Sequence, residues 1–163
     1  MRHVAFARWH VHVGAVQADF AMTGWLTDTT SLTSKLVACC ADFRVRRLRQ
    51  ANGYCVADEA AAIGLRRRLQ VRERDVLLEC DGVPMVYAHT IVPLDATASD
   101  WPFFSTLGER SLGTTLFGDP EVKRDALHFS RLSSAHPLWQ RACRALGAEL
   151  PGAPLYARRC LYR

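Results

Sequence analysis

Lysine is almost missing from this chain: Lys35 and Lys123 are the only two, so nineteen of the 21 basic residues are arginines. These arginines are scattered over several predicted strands. The formal net charge of +5 therefore does not sit in a basic tail of the kind that tracks a nucleic acid backbone. The six cysteines form no CxxC pair and show no zinc-type spacing, which argues against a structural zinc site. No stretch approaches the roughly eighteen apolar residues that a membrane span requires. The opening segment is broken by Arg2, His3, Arg8, His10, His12 and Asp19, which argues against a signal-peptide core. Repeats and low-complexity linkers are also absent. What remains is a single domain over residues 1–163, 49% hydrophobic and 23% charged, long enough for a real core. It is expected in the cytoplasm with reduced thiols and no membrane span.

Against that background, residues 71–93 stand out. Two runs rich in β-formers flank Asp81-Gly82, a dipeptide that favours a tight hairpin. Alternation along the first strand puts Arg72, Arg74, Val76, Leu78 and Cys80 on one face. Two guanidinium groups thus align with an apolar row. The second strand, about Met85 to Val92, is apolar except for His89 and Thr90. A cation on a buried face either reaches the sheet edge or receives an anion.

Elsewhere the signals are local. Residues 1–24 are ambiguous, a short strand or a poorly defined leader. His10 and His12 share a strand face there, but no acidic or cysteine partner lies nearby, which favours exposed polar positions over a metal pair. The Thr27 to Ser31 cluster offers N-caps for a helix near 30–41. Phe43 to Arg49 alternates as a strand, and Asn52-Gly53 marks a turn. Residues 56–70 are Ala-rich and read as a short helix or irregular connection ending in Arg66-Arg67-Arg68. Two glycines, Gly108 and Gly113, bracket a polar turn that can bring backbone N–H groups near a ligand. Leu127 to Leu132 is strand-like, Pro137 opens a helix to about Leu146, and Leu155 to Arg163 is strand-like again.

Taken in order, these segments resemble the chorismate lyase family. Arg74 through Leu78, Asp81-Gly82, Pro84 and Thr90-Ile91-Val92-Pro93 are similar to its R-x-[IV]-L-L, D-G-x-P and T-V-V-P pattern. Leu107-Gly108, Leu112-Gly113 and Leu116-Phe117 resemble its L-G-x-x-x-L-G-x-x-L-F segment. Trp25-Leu26, Ser31-Leu32-Thr33, Arg124-Asp125, Leu138-Trp139 and Leu155 to Arg159 fit the remainder. The resemblance implies an α+β fold, a single antiparallel sheet with helices packed on it and an internal ligand pocket under helical flaps. It implies elimination of pyruvate from chorismate to give 4-hydroxybenzoate for ubiquinone biosynthesis, with no cofactor and no metal. Arg74 would be the catalytic-site arginine that binds a ligand carboxylate. Leu112 would offer a backbone N–H, Leu32 would close the pocket, Ala88 would stand beside the ring where the family often has glycine, and His89 would be a substrate-binding residue at a position that is frequently arginine.

The resemblance also places an acid/base glutamate on a strand with the motif P-L-L-x-T-E-x-F-x-P, beyond the segment matching Leu155 to Arg163. These 163 residues do not contain it. Glu73, Asp75 and Glu79 are expected on the face opposite Arg74, and Glu109 lies in the glycine-flanked turn. Two outcomes stay open: a lyase, or a non-catalytic binder of a small aromatic carboxylate on the same fold. A sheet edge along Leu155 to Arg163 would be exposed and invite self-association. An RNA-binding reading rests on the +5 charge and the arginines of 43–49, but it lacks the glycine and aromatic pattern of a recognition sheet. No nucleic acid partner is expected.

Overall fold

The Asp81-Gly82 dipeptide does what its composition demands. Both residues take positive φ, 51° and 78°, the left-handed pair that a two-residue hairpin turn needs. The turn joins β2 (Gln70–Cys80) to β3 (Val83–Pro93), and β1 (Phe43–Tyr54) pairs antiparallel with the other edge of β2. The computed structural model describes residues 6–67, 69–96, 101–147 and 154–163. Arg68, in the basic triplet, lies outside the described residues, as do Val4 and Ala5 of the ambiguous opening stretch.

Helices cover both faces of the three-stranded sheet. On one face α2 (Leu32–Val37) contributes Leu32 and Leu36 to a cluster with Val76, Leu78, Val45 and Ala88. On the other, α3 (Ala57–Ala62) packs Ala60 against Val71 and Cys55. Hence β2 is buried almost end to end on both sides, from Val71 to Leu78 with only Arg72 partly open. Helix starts follow the expected capping chemistry. Asp19 accepts from Met22 N at the start of α1 (Phe20–Thr27), and Ser31 accepts from Ser34 N at the start of α2. Within the ambiguous opening stretch, Val13–Val16 form a 3₁₀ turn. His10 bridges Phe129 through its backbone, and Val16 joins Leu26 and Phe129 in a separate core.

The α+β class and antiparallel pairing hold, but the single sheet does not. Among the described residues, β4 (His128–Leu132) and β5 (Leu155–Arg159) form a second two-stranded sheet. β3 ends the first sheet, and its Pro84 and Pro93 lack the N–H groups that a further ladder would use. α4 (Leu112–Phe117) and α5 (Pro137–Leu146) complete the order, with α5 packed on β3.

The turn expected at Asn52-Gly53 is also overturned. Both residues lie inside β1, paired with Arg72 and Val71. Glycine is required here for space: a Cβ on Gly53 would sit 2.4 Å from Glu73 Oε2. Glu73 is 1% exposed and ion-paired to Arg49 and Arg141, so its carboxylate has nowhere to swing. Gly53→Ala is therefore expected to cost about 1–3 kcal/mol, read as a lower urea midpoint at unchanged slope. A bulge at Leu48 explains a second departure. It shifts the β1 register between Arg47 and Arg49, so Gln50 falls opposite Arg74 and Arg49 opposite Asp75.

Candidate functional site

Alternation along β2 and the antiparallel register put Arg74, Val76 and Leu78 on the same face as Thr90, Ala88 and Val86 of β3. That face forms one wall of a cavity of about 380 Å³, within the usual size of a small-molecule site. The N-terminal ends of α2 and α4 meet over it. Leu32 and Leu112, each the first residue of its helix, line the cavity, and Thr33 Oγ1 lies 2.6 Å from Ser111 Oγ. Gly113 permits this approach, since a Cβ there would come within 3.3 Å of Ser31 Oγ.

Arg74 is 2% exposed, and its Nη2 donates to the carbonyl oxygens of Gly108 (2.9 Å) and Arg110 (2.8 Å). The glycine-flanked turn therefore presents acceptors to Arg74, and Gly108 takes a φ of 58° to do so. No carboxylate among the described residues pairs with this guanidinium, and its Nε has no hydrogen-bond partner. Burial, and secondarily the charge of Arg47, work against the positive charge of Arg74. An arginine nevertheless stays charged, so the site holds an uncompensated cation.

The rest of the lining is mostly apolar, with hydroxyls from Thr30, Thr33, Thr90, Ser111 and Tyr162 and further arginines. Arg124, Arg158 and Arg159 border the cavity, and Glu59 is the sole acidic residue among the described lining residues. Arg158 Nη1 spends its hydrogen bonds on the carbonyls of Trp25, Leu26 and Asp28, which α1 leaves without helical partners at its C-terminal end. Arg124 donates to Thr29 O and stacks over the Phe117 ring at 4.8 Å. Among the described lining residues, Arg74 is thus the arginine with a buried donor that has no hydrogen-bond partner.

The opposite face of the sheet holds a second ionic group. His89 Nδ1 lies 2.5 Å from Asp75 Oδ1, its cross-strand partner, and Nε2 lies 3.0 Å from Glu59 Oε1. Arg141 of α5 reaches Glu73 and Asp75 at 3.6 and 4.0 Å. Burial opposes the charge on His89, but the contacts with Asp75 and Glu59 outweigh it and push the imidazole up to about 9. Burial alone would raise Asp75, yet the His89 hydrogen bond and charge hold it below the ordinary carboxylate value.

Arg74, Leu32, Leu112 and Ala88 therefore meet around one cavity, and His89 borders it at the edge of β3. Both ring nitrogens of His89 are engaged by carboxylates, because it stands one residue from Ala88 and points to the other face. Glu73 and Asp75 face away from Arg74, as strand alternation requires. Glu109 is exposed and outside the lining, so it offers the cavity no acid. Phe104, Arg158 and Tyr162 also border the cavity. They were not singled out from the sequence, because no local pattern links them to Arg74.

An α+β protein with a cationic cavity of this size built on a central hairpin has the form of a small-molecule binder or enzyme. The chorismate lyase family matches residues 7–162, and the chain belongs to that family. It is 45% identical over 158 residues to a probable chorismate pyruvate-lyase of Cupriavidus metallidurans, covering 96% of this chain and 74% of the relative. A protein of the same description from Ralstonia nicotianae is 45% identical over 141 residues, with coverages of 85% and 72%. One from Dechloromonas aromatica is 40% identical over 157 residues, with coverages of 96% and 87%.

Proposed function

We propose that this protein is a chorismate pyruvate-lyase that releases 4-hydroxybenzoate and pyruvate in the cytoplasm, supplying ubiquinone biosynthesis. The observation that carries the reading is Arg74, a buried guanidinium with an open Nε on the wall of a small cavity. Chorismate is a dicarboxylate. A guanidinium grips one carboxylate with paired, charge-assisted hydrogen bonds and remains charged where water is excluded. In this reading the Leu112 N–H is a second donor, Leu32 covers the ligand, and Ala88 leaves room for the ring.

The chemistry asks little more than orientation and one proton transfer. The ring loses a proton, the ether C–O bond to the enolpyruvyl group breaks, and the departing enolate is protonated to pyruvate. Aromatisation of the ring drives the step, so it needs no electron carrier. One observation favours a second reading, a non-catalytic binder of a small aromatic carboxylate. The Glu59 carboxylate, the sole acid among the described lining residues, is already held by His89 and by Val56 N.

Incubation of the purified chain with chorismate separates the two. The lyase reading expects 4-hydroxybenzoate and pyruvate to accumulate in equal amounts, well above the spontaneous rate. Absence of both, with 4-hydroxybenzoate still bound, would leave the binder. Absence of binding as well would sink both readings.

A further inference from the structure

Two cysteines forty positions apart in the sequence come together at the turn end of the central hairpin. Cys40 Sγ lies 2.8 Å from Cys80 Sγ, inside the ordinary non-bonded contact of two sulfurs and within about 1 Å of a disulfide bond length. Both sulfurs also face one acceptor, Leu36 O of α2, at 3.2 and 3.7 Å. The backbone on either side is fixed. Asp81 N donates to Asp42 O at 2.8 Å, while Asp81 Oδ1 accepts from Ala41 N and Asp42 N at 3.1 and 2.8 Å. The pair is therefore held in register by three hydrogen bonds, and both residues are half-buried, within reach of a small oxidant. Cys39 beside them is exposed, and its thiol makes none of these contacts, although its backbone N donates to Leu36 O.

We propose that Cys40 and Cys80 form an oxidisable thiol pair that closes to a disulfide and so ties the end of α2 to the end of β2. The oxidant is a small-molecule disulfide of the glutathione type. One protein thiolate attacks a sulfur of the oxidised glutathione and expels a glutathione thiolate. The second protein sulfur attacks the resulting mixed disulfide and expels the other. The two electrons reduce the glutathione disulfide, and the two protein S–H protons end on the two released thiolates. Cys40 donates its S–H toward Cys80, and this hydrogen bond, with burial behind it, pushes the Cys40 thiol up to about 11. Either thiol opens the sequence and the other resolves it, and the closure quickens as pH rises because the thiolate is the nucleophile.

The cross-link has a consequence at the cavity, which rests on reading that cavity as the ligand site. α2 presents Leu32 and Thr33 to the cavity at one end, and the disulfide would fix its other end. Ligand exchange then requires α2 to move against a covalent restraint.

The experiment treats folded wild type with oxidised glutathione, blocks remaining thiols under denaturing conditions, and maps peptides by mass. The expected result is a loss of about 2 Da, a linked pair of peptides carrying Cys40 and Cys80, and reversal by dithiothreitol. Cys39→Ser keeps the link, whereas Cys80→Ser abolishes it. Blocking of all six thiols after oxidation, a persistent glutathione adduct, or a link through Cys39 would each overturn the pair. Dissociation of 4-hydroxybenzoate is expected to slow at least about threefold in oxidised wild type and to recover on reduction. A link that forms without slowing release overturns the coupling to the cavity but not the pair. A reduced protein that binds no 4-hydroxybenzoate would sink the ligand-site reading alone.

Discussion

Under the proposed function, Arg74→Ala is expected to lower the affinity for 4-hydroxybenzoate by about a hundredfold or more, with turnover of chorismate falling alongside. The magnitude follows from losing a paired, charge-assisted interaction with a buried carboxylate, roughly 3 kcal/mol, where every 1.4 kcal/mol is tenfold. Arg74→Lys keeps the charge but not the planar fork, so it recovers only part of the loss. The substitution also frees the carbonyls of Gly108 and Arg110, which Arg74 now holds at 2.9 and 2.8 Å. A loosened loop could mimic a lost ligand contact. Free guanidinium ion distinguishes the two, because it refills the cavity left by the side chain and restores binding only if the cation itself is needed. Titration by calorimetry, with and without guanidinium, is the measurement. Affinity unchanged within about threefold in Arg74→Ala would remove Arg74 from the site.

The second large effect lies behind the sheet. Asp75→Leu leaves the His89 imidazolium facing only Glu59 and strips Arg141 of one partner. Breaking a buried ionic group from one side typically costs about 3–5 kcal/mol, which for a domain of this size lowers the melting temperature by roughly 10 °C. The same group gives stability a pH dependence whose sign is fixed. His89 binds its proton more tightly in the folded protein, with its pKa raised from 6.5 to about 9. Its contribution is therefore full below about pH 6.5 and fades as pH climbs through about 9, by up to about 3 kcal/mol. Asp75, held below its ordinary value, loses its contribution at the acid end, as pH falls through its folded pKa. The two describe one interaction from either partner and are not additive. Urea unfolding from pH 6 to 10 checks this. The loss above pH 7 should be markedly smaller in His89→Gln than in wild type, and parallel curves for the two proteins would refute the assignment.

Capping chemistry, turn chemistry and strand alternation were legible because each is set within a few residues. Asp81-Gly82 has the backbone freedom that the hairpin turn uses, and Ser31 has the oxygen that starts α2. Asn52-Gly53 misled for the same reason. Its local signal is that of a turn, but β1 runs through it because Gly53 must leave room for Glu73 across the sheet. His89 shows the limit at the cavity. Its position beside Ala88 was readable, but its commitment to Asp75 and Glu59 depends on β3 pairing with β2 while α3 packs beneath.

By itself, then, the sequence determined the central hairpin, an arginine on its apolar face and the resemblance to the chorismate lyases. These rest on residue type and spacing along the chain. Only the tertiary structure decided that Arg74 is buried without a carboxylate partner among the described residues, because pairing is a matter of what other segments bring within reach. It also decided the two-sheet division, the shift of face at Leu48, and the approach of Cys40 to Cys80. Each depends on register or packing between elements distant in sequence, and no local pattern of residues encodes either.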